Sequence, residues 1–90
     1  MDISESTIKA RLLYHLRKKK VIGGVHTHYD TLKRGFPKHL GKEVENSAKH
    51  LIKEGFLITK PTSYCLQVSL NKDKLREIDE FIKKVLSYDF

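Results

Sequence analysis

Five histidines and one cysteine are the residues of this chain best suited to hold a metal or attack a carbonyl, and their spacing argues against both uses. His26 and His28 stand two apart, as ligands on one strand would. The intervening Thr27, with Asp30 three residues on, has the form of a helix capping box, and a cap turns the two rings in different directions. His39 and His50 would lie about 16 Å apart on one helix, too far to share an ion. Structural zinc needs four nitrogen or sulfur ligands at recognisable spacing, and Cys65 has no second thiol. As a nucleophile Cys65 lacks a glycine elbow, a base and an orienting acid around it. On the strand alternation Tyr64, Leu66, Val68 it points the other way, with Gln67 and Ser69. There is no GxxxxGK(S/T) or GxGxxG phosphate loop, and Gly23-Gly24 alone reads as a turn. The expectation is a protein with no metal, no cofactor and no catalytic residues.

Binding through charge is the chemistry that remains. The formal net charge is +7 and the isoelectric point near 9.6, a balance that favours a polyanionic partner. Residues 1–60 carry thirteen Lys and Arg against six Asp and Glu, whereas residues 61–90 carry five of each. The excess therefore lies in the first two thirds. Within it, Val44, Ala48, Leu51 and Ile52 recur at helical spacing and define an inner face. Lys42, Asn46, Lys49 and Lys53 fall on the opposite side, with Glu45 and His50 on the flanks and His39 just upstream. A surface helix has a polar outside whatever its function, and Glu43, Glu45 and Glu54 lower the local charge. Placement in the chain is what raises this face above an ordinary solvated one.

A first helix is expected over about 5–20, capped by Ser4 or Ser6, with Ile8, Leu12, Leu13 and Leu16 inward. Its end, Arg17-Lys18-Lys19-Lys20, sits where the helix dipole is negative. Val21 to Val25, with two glycines, is an extended break. Thr27 opens a short helix over 28–34 that turns Tyr29 and Leu32 to the core, Gly35 ends it, and Phe36-Pro37 makes a turn. The next helix starts at Pro37 or at Gly41. The second start is preferred, because glycine is tolerated at a cap but costs about 1 kcal/mol inside a helix. That helix runs over 41–54, and Gly55 stops it in a left-handed cap. Strands follow over 56–59 and 64–70, joined by Lys60-Pro61-Thr62-Ser63. Asn71 caps a last helix over 72–87, where Asp79 with Lys83 and Glu80 with Lys84 form i, i+4 pairs.

A short capped helix and turn, a helix with a cationic face and a glycine stop, and a hairpin tipped by Lys60 together resemble the winged helix-turn-helix superfamily. The resemblance covers most of the chain. It implies an α+β, mainly α, single domain over 1–90: a three-helix core, a two- or three-stranded wing and an additional C-terminal helix. In that family a short strand at 21–25 often joins the wing sheet. The family reading implies duplex DNA as partner, in a small transcription-regulator-like domain whose third helix enters the major groove while the 60–63 wing touches the backbone. Asn46 has the amide geometry for adenine, and Lys42 and Lys49 reach base edges or phosphates. Lys33, Arg34, Lys38, His39, Lys53 and Lys60 complete the DNA-binding set, chiefly through phosphates. The alternative is a winged helix serving protein or RNA contact. A homodimer is expected through Leu75, Ile78, Phe81, Ile82 and Val85, whose stripe is broad for one side of a small core. With one Cys, an acidic N-terminus and no apolar run near 18 residues, the expectation is a cytoplasmic protein with no membrane partner.

Overall fold

The computed structural model describes residues 5–61 and 66–87. It is α+β and mainly helical, with three α-helices and a three-stranded antiparallel sheet. Helix α1 spans Glu5–Lys18 and buries Ile8, Ala10, Leu12, Leu13 and Leu16. It ends two residues short of the expected Lys20. Lys20 N–H donates to the Arg17 carbonyl and Val21 N–H to that of Leu16, with Lys20 at φ 58. That pair of bonds is a Schellman stop, in which buried Val21 packs back on Leu16. Ser4 lies outside the described residues, and Ser6 falls within α1.

Two expectations for the next segment are corrected. The third strand is β1, Thr27–His28, paired with the hairpin through Thr27 opposite Val68 and His28 opposite Gln67. The 21–25 stretch contributes a single bridge, Ile22 to Leu70, before turning at Gly23, φ 63. Thr27 is therefore not a helix cap. His28 stands at the start of the following segment and makes no side-chain cap bond. That segment, Tyr29–Gly35, is 3-10 and not α-helical. It buries Leu32, and Tyr29 only in part, too small an inward face to offset the cost of α-helix nucleation.

A 3-10 turn, Lys38–Leu40, leads into α2, Gly41–Lys53, so this helix begins at the later of the two starts. It ends in a second Schellman stop: Gly55 N–H donates to Ile52 and Phe56 N–H to Leu51, with Gly55 at φ 87. Strand β2 is Leu57–Pro61 and β3 is Leu66–Leu70. Lys60 and Pro61 thus lie in the ladder opposite Gln67 and Leu66, not in the turn. Thr62, Ser63, Tyr64 and Cys65 lie outside the described residues. Asn71 accepts from Asp73 N–H and caps a 3-10 turn, Lys72–Lys74, which runs into α3, Leu75–Leu86.

The sheet order is β1-β3-β2, and its inner face presents Leu57, Val68 and Leu70 to the helices. Val44, Ala48 and Leu51 of α2 and Ile78 and Ile82 of α3 close on the α1 stripe to complete one core. The outer side of β3 is also covered at one point, where Ser69 is fully buried and donates to the Gly23 carbonyl at 3.0 Å. Helix, short strand, 3-10 segment, helix, hairpin and helix in this order are compatible with a winged-helix layout.

Candidate nucleic-acid interface

Helix α2 has one buried side, Val44, Ser47, Ala48 and Leu51, and the residues opposite it are Lys42, Asn46, Lys49 and Lys53, all exposed. The 3.6-residue period puts these four on one strip of surface along the helix. Among the described residues Lys42, Lys49 and Lys53 make no ion pair, and Asn46 makes no side-chain hydrogen bond.

The carboxylates that border the strip are mostly engaged. On the α1 side, Lys9 Nζ donates to Glu54 at 2.7 Å and lies 3.7 Å from Glu5, which also accepts from His50 Nδ1. The hydrogen bond from His50 holds the Glu5 carboxyl below its ordinary value of 4.5, with the Lys9 charge adding to the effect. On the other side, Lys33 lies 3.4 Å from Glu45. Tyr29 O–H donates to the Glu45 carbonyl at 3.4 Å, which fastens the 3-10 segment to α2. Burial, followed by the negative charges of Glu45 and Asp30, pushes the Tyr29 phenol above 10.0. The α1–α2 seam of Glu5, Lys9, His50 and Glu54 has no signature in the sequence, because its partners are 45 positions apart.

The other expected contact residues are placed as follows. Lys38 and His39 are exposed on the 3-10 turn that enters α2, next to Lys42. Arg34 is exposed on the neighbouring segment, while Lys33 is partly committed to Glu45. Lys60 is exposed on β2, opposite Gln67. Asn46 also borders a cleft of about 130 Å³ with Glu5, Ile8, Glu43 and Ser47. Ser47 Oγ is buried there without a hydrogen-bond partner among the described residues.

Of the residues expected to form a dimer contact, Ile78 and Ile82 belong to the chain's own core and Phe81 packs against it. Ile78 and Ile82 are 0% exposed, and no apolar residue of α3 is among the exposed large hydrophobics, which are Val25, Ile58 and Leu66. Leu75, Phe81 and Val85 are half-buried, Phe81 with its ring 6.5 Å from that of Phe56. On α3, Asp79 accepts from Arg17 of α1 at 3.0 Å, and Glu80 lies 3.6 Å from Arg76, an i, i+4 pair on the N-terminal side of Glu80.

Among the described residues no group of three or more His, Cys, Asp or Glu could hold a metal ion, and no helix is long and apolar enough to cross a membrane. Comparison with known family models, curated proteins and solved structures finds no match for this chain.

Proposed function

We propose that this chain is a winged helix-turn-helix domain that binds duplex DNA as a small transcriptional regulator. In this reading α2 lies in the major groove, the 3-10 segment Tyr29–Gly35 stands as the first helix of the motif, and the β2–β3 hairpin touches the adjacent backbone. One observation carries it: the unpaired strip Lys42, Asn46, Lys49, Lys53 on α2, with Glu5, Glu45 and Glu54 beside it each held by a cation or imidazole from outside the strip. Glu43 is the one bordering acid without an ion pair among the described residues, so the strip keeps a net positive charge. Asn46 reads a base edge, Lys42 and Lys49 reach bases or phosphates, and Arg34, Lys38, His39, Lys53 and Lys60 position the duplex.

Replacing Lys42 and Lys49 by Gln is expected to weaken binding to random duplex far more than replacing Lys83 and Lys84, although both variants lose two charges. The log–log salt slope should also fall by about two, one per lost phosphate contact. Equal losses in the two variants would remove the assignment of this face, and a flat salt slope in the wild type would favour a protein-assembly role. Asn46→Ala is expected to cost about 1–3 kcal/mol against a selected site while leaving random-DNA binding nearly unchanged. A parallel drop on both DNAs would make Asn46 a backbone or structural contact.

A further inference from the structure

We propose that the outward stripe of α1 is a second contact surface for nucleic-acid phosphates, so that one domain can hold two duplex segments at once; the inference rests on the duplex-binding reading of α2. Arg11, His15 and Lys18 recur at spacings of four and three on α1, and Lys19 and Lys20 continue the line past the helix end; all five are exposed. None of them makes an ion pair among the described residues. The single carboxylate of α1 is Glu5, at the opposite end and engaged with Lys9 and His50. Asp79, which faces this end of α1 from α3, is taken by Arg17, the inward member of the basic run.

The helix dipole explains cations in the last turn only, since its effect fades within one turn. Arg11 lies about two turns earlier, and Lys20 follows the helix in a left-handed conformation. Neighbouring like charges on Lys18, Lys19 and Lys20 repel one another and make no ion pair among the described residues, an arrangement that a polyanion completes. The stripe is also distinct from the α2 strip. Helix α2 is tied to the first turns of α1 through Glu5 and Lys9, whereas the stripe occupies the remaining turns.

The test uses the full chain with two duplexes of random sequence, one on beads and one fluorescent, at 150 mM salt. Wild type is expected to capture the fluorescent duplex on the beads. The variant Arg11→Gln/Lys18→Gln/Lys19→Gln is expected to lose at least tenfold of that capture while binding a single duplex within about threefold of wild type. Lys42→Gln/Lys49→Gln should instead weaken single-duplex binding to what the stripe alone supports, so failure of the α2 reading is seen separately. Arg11→Lys/Lys18→Arg/Lys19→Arg should capture like wild type. Should the Gln variant lose its helical signal, Lys18→Glu at an exposed position reads the same contrast. No capture by wild type, undiminished capture by the Gln variant, or a loss of single-duplex binding equal to that of the α2 variant would each overturn the proposal. So would wild-type binding through the stripe to phosphatidylserine vesicles in place of the second duplex.

Discussion

Two helix stops in this chain use the same geometry with different residues, and the difference sets a local stability. At Gly55 the left-handed conformation costs little because glycine has no Cβ, and an added Cβ would stand 3.2 Å from Lys74 Cε. At Lys20 the same conformation carries the steric cost of a Cβ, roughly 1–2 kcal/mol for an L-residue. Lys20→Gly is therefore expected to stabilise the domain by about 0.5–1 kcal/mol, the gain being trimmed by the greater freedom of glycine in the unfolded chain. Thermal unfolding should shift upward by roughly 2–8 °C, and Gly55→Ala should shift it downward. No rise for Lys20→Gly would mean that the Lys20 side chain contributes more at the helix end than its backbone strain costs.

At the scale of elements, the position of α1 against α2 depends on a seam of polar contacts as well as on the core. Glu5 has its pKa lowered in the folded chain, so its contribution to stability is present above its ordinary value of 4.5 and is lost as pH falls through the folded value. Glu5→Gln is expected to lower stability slightly at neutral pH and to flatten the decline below about pH 4.5, the two proteins converging in acid, as read by denaturant titration across an acid series. The effect is small because both partners are about half exposed and screened by water. An unchanged acid profile would mean that the seam follows from core packing and does not help to set it.

For the whole molecule, the balance between core and surface bears on oligomeric state. A 90-residue domain has little apolar surface to spare, and here the core takes up the large side chains of the helices, including Ile78 and Ile82, while the exposed ones, Val25, Ile58 and Leu66, lie away from α3 in the chain. A homodimer through α3 would have only half-buried residues left to offer. Sedimentation at micromolar concentration is expected to give a mass near 10.5 kDa that does not rise with concentration. A 21 kDa species that Phe81→Glu converts to a folded monomer would restore α3 as the interface.

Strong periodicity made the long helices legible in the sequence, because each buries a broad stripe whose spacing repeats several times. The Gly55 stop was legible for the same local reason, glycine being the residue that takes positive φ without strain. The outward placement of Lys42, Asn46, Lys49 and Lys53 followed from the inward placement of Val44, Ala48 and Leu51. Tertiary structure decided what has no local signal. Thr27 became a strand residue because β3 offered it a partner at Val68, and ladder bonds prevailed over the capping form. Ile78 and Ile82 went to the chain's own core because α1 presents a matching stripe, Ile8 to Leu16, far earlier in the chain. Which lysines stay free was likewise settled by Lys9, Lys33 and Arg17 reaching acids on other elements, and pairings across that sequence distance exist only once the elements have packed.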